Sequence, residues 1–226
     1  MDVVCFYLFW VEKNPIFFII NVIISEREGA VLKLIISFSG RKNGNCGQIA
    51  SYIAEESDQI IHFGDLDIHP CSGCNYQCFG GECPHRGDAV YGLYEGMLRC
   101  DKVILIVPMY CGNPSSLYFV FNERCQDYFM HNDTCDEILR RLYIIGVYGS
   151  QTESPDFIPT LEKWFDSSPY QNRVLGLQRH LYRQRMEDSI LDIADVRSQI
   201  NAFMDKGLLN GQAHRRDDHG IDAPFA

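Results

Sequence analysis

"VLKLIISFSGRKNGNCGQIA", residues 31–50, is the stretch on which the fold turns. A β-branched apolar run, Leu32–Phe38, passes straight into small, polar and glycine residues and then into an amphipathic stretch from Asn45. Strand, tight loop and helix in that order make the opening of a βαβ unit. Ser37, Ser39, Arg41, Asn43 and Asn45 precede the helix. The first N–H groups of a helix lack intrahelical partners and lie at the positive end of its dipole, so such a loop suits a phosphate. Neither G-x-x-x-x-G-K-[ST] nor G-x-G-x-x-G occurs in it, which disfavours a nucleoside triphosphate or a dinucleotide and leaves a monophosphate. Asn43 or Asn45 would serve equally as an ordinary helix cap.

Outward from this unit the alternation repeats. Strands are expected at Gln59–Phe63, Lys102–Pro108, Arg141–Tyr148 and Asn172–Gln178, and helices near Asn45–Glu56, Ala89–Arg99, Ser115–Met130, Phe157–Asp166 and Met186–Lys206. "KVILIVP" and "RLYIIGVYG" are nearly continuous apolar runs, as parallel strands covered on both faces require. The expected architecture is α/β, a flavodoxin-like doubly wound sheet of five parallel strands in the order 2-1-3-4-5, with ligands bound beyond the carboxyl ends of the strands. With 226 residues, one core is the expectation: a domain over 31–206, an apolar extension over 1–30 and a polar tail over 207–226.

The connection from Gly64 to Asp88 is long for a strand–helix loop. It holds "CSGCNYQCFGGECP", in which Cys71, Cys74, Cys78 and Cys83 follow C-x2-C-x3-C-x4-C with Pro84 directly after. Four thiols in thirteen residues read as a [4Fe–4S] cluster, a structural zinc site or two disulfides. Disulfides need an oxidising compartment and no export signal is evident. Zinc sites usually come as two separated cysteine pairs, so one compact run favours iron–sulfur. Cys5, Cys46, Cys100, Cys111, Cys125 and Cys135 are scattered, and most are expected to pack as small hydrophobes.

A net charge of -10 argues against nucleic acid, which needs a basic face. Arg140–Arg141 and Arg179–Arg185 read as a solvated helix end or loop. The first thirty residues carry two apolar runs, "VVCFYLFWV" and "PIFFIINVII", split by Glu12, Lys13, Asn14 and Pro15, each too short to span a bilayer. A membrane-associated anchor, an added strand or helix, and an upstream extension all remain open for them. The chain is expected in the cytoplasm. No G-x-S-x-G elbow is present, and His62, His69, His85 and His131 show no metal-ligand spacing, which leaves hydrolytic chemistry little support. Asp65, Asp67 and Asp88 read as loop carboxylates.

After the third strand comes "PMYCGNPSSLYFVFNER", a loop stiffened by Pro108, Gly112 and Pro114 in which Tyr110 offers an aromatic surface and the N–H groups of Cys111, Gly112 and Asn113 suit a polar ring edge. Tyr148, Gly149 and Ser150 of "GVYGSQTES" close the same sheet edge. Together with the cysteine run, these loops resemble the iron–sulfur flavoproteins and NAD(P)H-dependent FMN reductases of the flavodoxin-like class. "SGRKNGNC" is similar to that family's S-P-R-x-x-G-N-[ST] phosphate loop, and "PMYCGNPSS" to its P-x-Y-x-G-x-x-S ring loop. The resemblance runs from about Val31 to about Lys206. Gly40 stands where the family has Pro, Cys46 where it has Ser or Thr, and the middle cysteine gap is three instead of two.

The resemblance implies that Ser39, Arg41, Asn43, Gly44, Asn45 and Cys46 hold an FMN phosphate. It further implies that Pro108, Met109, Tyr110, Cys111, Gly112 and Asn113, with Ser116, Tyr148 and Gly149, line the flavin, and that the four clustered cysteines ligate the [4Fe–4S] centre. The expected function is that of an FMN-dependent oxidoreductase or electron-transfer flavoprotein, passing electrons from NAD(P)H or ferredoxin to an acceptor such as a quinone or free flavin, in a homodimer or larger homo-oligomer. The alternatives are an NAD(P)H-dependent FMN or quinone reductase whose cysteine loop holds zinc or no metal, and a non-catalytic module that keeps the fold without flavin.

Overall fold

Five apolar runs lie side by side in the computed structural model, which describes residues 32–80, 83–131, 133–150, 155–182, 185 and 188–214. They form strands β1 (Lys33–Ser37), β2 (Gln59–His62), β3 (Lys102–Tyr110), β5 (Leu142–Tyr148) and β6 (Val174–Gln178). All four pairings among them are parallel, with Ile35 opposite both Ile60 and Ile104, and Ile145 opposite Leu175. The order β2-β1-β3-β5-β6 is the expected 2-1-3-4-5 once β4 is counted. That extra strand, β4 (Asn113–Pro114), pairs antiparallel with the end of β3. The sheet therefore has six strands among the described residues, not five, because the chain turns back on itself at Cys111 and Gly112.

The helices are α1 (Asn45–Ile53), α2 (Gln77–Gly80), α3 (Ala89–Arg99), α4 (Ser116–His131), α5 (Cys135–Arg141), α6 (Phe157–Glu162) and α7 (Ala194–His214). Side chains alternate along a strand, so each face of the sheet collects its own core. Leu34, Ile36, Val103, Leu105 and Ile144 pack against Leu93 and Tyr94 of α3, Phe121 and Tyr128 of α4, and Phe157 and Leu161 of α6. Ile35, Ile104, Ile106, Ile145 and Val147 meet Cys46, Ile49 and Ile53 of α1 and Val196, Ile200 and Phe203 of α7. Each such side chain taken out of water contributes about 1.5–3 kcal/mol, which is why the doubly covered strands read as unbroken apolar runs.

Boundaries shift where local backbone geometry overrides the pattern. Asn172, expected in the last strand, takes φ 60, and β6 begins only at Val174. Arg141, expected to open a strand, ends α5 and bonds Glu137 one turn back at 3.3 Å. The last expected helix, Met186–Lys206, is a single 3-10 turn at Ile190–Asp192 followed by α7, which runs to His214 and so takes up the first residues of the expected tail. The N-terminal extension, residues 215–226 and part of the loop after Gly149 lie outside the described residues. No helix among the described residues is long and apolar enough to cross a membrane.

The amino edge of the sheet, opposite the loops of interest, carries buried cations. Lys33 Nζ bonds Glu55 at 2.6 Å and Asp58 at 3.0 Å. Lys102 Nζ donates to the Met204 carbonyl at 2.6 Å, and Lys102 and Arg173 both lie over the Tyr143 ring. Burial, helped by Lys33 and Arg173, brings the Lys102 ammonium down from 10.5 to about 8. Folded and unfolded chains both carry this proton below about pH 8 and neither does above 10.5; between those values the unfolded chain binds more, so stability rises with pH. The stability of the wild type relative to Lys102→Met, from urea unfolding, should therefore climb between pH 8 and 10. A pH-independent difference would show that the amine is not held neutral.

Candidate functional site

Strand polarity brings the three sequence-predicted loops to one edge. β1 ends at Ser37, β3 reaches Pro108 opposite Val147, and β5 ends at Tyr148 opposite Gln178. After β1, Ser39 is buried and its hydroxyl organises the turn, accepting from Arg41 N at 3.1 Å. Gly44 caps α1 with extended backbone and no side-chain bond, and Gln48 N donates to its carbonyl at 3.0 Å. The N–H groups of Asn45, Cys46 and Gly47 precede that first helical bond and open the helix. Arg41, Lys42 and Asn43 stand exposed around them, with no acidic residue in the first turn.

Two of the expected phosphate residues have other work for their side chains. Cys46 points into the core beside Ile49, and burial pushes its thiol up to about 12, so it stays neutral. What it can offer an anion is its backbone N–H. Asn45 Oδ1 accepts from Ile190 N at 3.0 Å, and Ser189 bonds Gln48, so the 3-10 turn at Ile190–Asp192 is tied across the start of α1. Gly47 is fixed by contact: a Cβ there would lie 1.6 Å from the Lys42 carbonyl oxygen, so only glycine lets the helix pass the loop this closely.

The second loop is a two-residue hairpin. Tyr110 and Asn113 pair across it, and its central residues, Cys111 at φ 48 and Gly112 at φ 82, are both left-handed, as a type I′ turn demands. Asn113 Nδ2 donates to the Cys111 carbonyl at 3.1 Å. Ser115 is buried, donates to the Phe38 carbonyl at 2.8 Å, and takes the Ser position of the ring-loop motif; Ser116 is exposed at the start of α4. Tyr110 OH and Ser39 Oγ lie 3.4 Å apart, so phosphate loop and ring loop touch. Tyr110 keeps 40% of its surface exposed, an aromatic ring open at the sheet edge. Tyr148 is half-buried and packs on Phe157 at 5.6 Å, and the Gly149 carbonyl accepts from His180 N.

After β2 the chain enters the cysteine loop. Cys71, Cys74, Cys78 and Cys83 all line one cavity of about 270 Å³, with Tyr76, Phe79, His85, Glu123, Arg124, Gln126 and Asp127. All nine cysteines among the described residues are free thiols. Burial pushes the Cys71 thiol up, and the neighbouring Cys74 thiol adds to it. Among the described residues no three His, Cys, Asp or Glu side chains converge closely enough for a single ion. Four thiols lining one cavity are a donor set that either zinc or an iron–sulfur cluster takes.

Arg124 of α4, which the motif reading passed over, fastens this loop. Its side chain is 1% exposed, and Nη1 donates to the His69 carbonyl at 2.6 Å and to Asp88 at 2.5 Å. Nη2 donates to the His85 carbonyl at 3.0 Å and reaches Cys83 Sγ at 3.9 Å. Asp88 also caps α3, accepting from Val90 N at 3.1 Å, and takes the His69 N–H. His69 and His85 stack at 4.7 Å, and Glu123 accepts from Cys71 N at 2.7 Å. Of the outlying cysteines among the described residues, Cys46 and Cys100 are buried and Cys125 half-buried, as expected of most, while Cys111 and Cys135 are exposed.

Residues 33–134, which take in both loops and the cysteine run, match the family model of NADPH-dependent FMN reductase. An iron–sulfur flavoprotein of Archaeoglobus fulgidus is 34% identical over 59 residues, 26% of this chain and 28% of that protein. One from Clostridioides difficile is 27% identical over 99 residues, 40% of this chain and 44% of that protein. The chain thus spans less than half the length of these curated relatives. Among solved structures, the Trp repressor binding protein of Bacillus subtilis aligns with TM-score 0.50 at 17% identity over 76% of this chain and 97% of that one, a likeness of fold.

Proposed function

We propose, from a chain whose residues 33–134 match the family model of NADPH-dependent FMN reductase, that this protein is an FMN-dependent oxidoreductase with a [4Fe–4S] centre in its cysteine loop. The observation that carries the reading is the contact of Ser39 with Tyr110, which joins a helix N-terminus open to an anion to an exposed ring at the carboxyl edge. Arg41, Asn43, Gly44 and the N–H groups of Asn45 and Cys46 hold the phosphate, and Ser39 shapes the turn. Pro108, Met109, Tyr110, Cys111, Gly112 and Asn113 line one side of the flavin; Ser116, Tyr148 and Gly149 lie at its border.

When bound, FMN accepts two electrons together and passes them on singly, which a neighbouring iron–sulfur centre can take up. The chain's own part is to orient and insulate. The I′ turn would set the Cys111 and Gly112 backbone at the ring edge, and Met109, packed against the core, would help exclude water from the ring. Cys71, Cys74, Cys78 and Cys83 supply four thiolates, the donor set that a [4Fe–4S] cluster takes. The names of the two curated relatives, both iron–sulfur flavoproteins, support the same reading. Electrons arrive from NAD(P)H or a ferredoxin and leave to a quinone, a flavin or a protein, in a homodimer or larger assembly.

The test is an ultraviolet–visible spectrum of anaerobically purified protein with iron, sulfide and zinc assayed on the same sample. Flavin bands over a broad absorbance that bleaches with dithionite, with iron and sulfide near four per chain, are expected. Flavin with zinc, or without metal, would replace this reading with a simple FMN reductase; a colourless sample that takes up no FMN would leave a binding module. Bleaching by NADPH or NADH under argon separates a reductase from a carrier reduced only by ferredoxin.

A further inference from the structure

The cysteine cavity contains a cation as well as thiols. Arg124 lines it from the helix side with its guanidinium almost fully buried. Four of its five polar contacts are to backbone carbonyls or to Asp88, but the fifth is Cys83 Sγ, and Nε is buried without a hydrogen-bond partner. A buried guanidinium needs a strong reason to leave an N–H unpaired. Four thiolates around an iron–sulfur core form an anion, and N–H groups directed at its sulfurs are among the features that set its potential.

We propose that Arg124 is a positioning and potential-setting residue for the iron–sulfur centre, its Nη2 reaching the Cys83 sulfur so that its charge favours the reduced state. The inference rests on the cluster reading above. Reduction adds one electron, supplied in a titration by dithionite, and no proton, so the centre gains one negative charge. Arg124 stabilises that charge at short range. Asp88, paired to the same guanidinium at 2.5 Å, opposes it. The ion pair therefore acts on the couple with two opposed signs, and this distinguishes it from a mere structural staple.

The experiment is a redox titration of the anaerobically purified holoprotein, read by electron paramagnetic resonance, for wild type, Arg124→Gln, Arg124→Lys and Asp88→Asn, with iron and sulfide assayed in each. Arg124→Gln should disfavour reduction about tenfold, a fall of about 59 mV for a one-electron couple. Asp88→Asn, which keeps the helix cap, should favour reduction severalfold. Arg124→Lys keeps the charge and should restore most of the wild-type potential. Unchanged potentials in Arg124→Gln and Asp88→Asn, or shifts of the same sign in both, overturn the proposal. If Arg124→Gln does not fold, the sign for Asp88→Asn decides it, with Arg124→Lys expected near wild type. A wild type without iron and sulfide would instead overturn the cluster reading itself, a result visible before any variant is compared.

Discussion

Gly47→Ala is expected to abolish FMN uptake and lower the melting temperature by roughly 6–12 °C. The added methyl would sit 1.6 Å from the Lys42 carbonyl oxygen, and because that atom is backbone, no side chain can swing aside to relieve the overlap. Either the loop between Ser39 and Gly44 moves away from α1, or the first turn of α1 unwinds. Overpacking of this kind costs about 3 kcal/mol, and each kcal/mol lowers the melting temperature by about 2–4 °C in a domain of this size. The proposed phosphate seat uses the first N–H groups of α1, so fluorescence titration with FMN should show no saturable binding. Gly40→Ala is the control: nothing lies within 4 Å of its added methyl, and stability should stay within about 0.5 kcal/mol. Equal behaviour of the two variants would mean that the loop is not held against the helix.

Asp88→Ala is expected to destabilise the protein by about 4 kcal/mol and to open the cysteine loop to protease. The Asp88 side chain is 5% exposed and Arg124 1%, so removing the carboxylate leaves a guanidinium buried without its counter-charge, a loss of about 3–5 kcal/mol. The α3 cap at Val90 N goes with it. Urea unfolding gives the first number, and limited proteolysis with mass mapping locates the cuts. They should fall between 64 and 88. Wild-type resistance in that segment would mean that the loop is held by something other than this pair.

The central strands β1, β3 and β5 were legible because each is covered on both faces and so reads as an apolar run, and the half-buried edge strands β2 and β6 by their short β-branched or apolar runs between polar stretches. The loops after β1 and β3 were legible because their glycines, prolines and small polar residues sit at fixed steps after strand ends. Strand β4 was not, since two residues carry no periodicity, and Cys111 at φ 48 gives no compositional sign of a turn. Asn45 resembled a phosphate ligand or a cap; its side chain answers to Ile190, a partner 145 residues on. Arg124 left a trace that could have been followed. It falls on the helical stripe of Tyr118, Phe121 and Tyr128, three residues after one buried aromatic and four before another, where a cation has no place unless something paired awaits it.

The Arg124 contacts also bear on the order of events in making this protein. One guanidinium clasps the carbonyls of both His69 and His85, residues at the two mouths of the cysteine segment, and it does so with protein atoms alone. The entropy of bringing those ends together is thus met by the folded chain, with no bound metal required. Loading of the proposed centre would then follow folding: the loop would be fastened first and its four thiols filled afterwards, so that the apoprotein would fold without iron or sulfide.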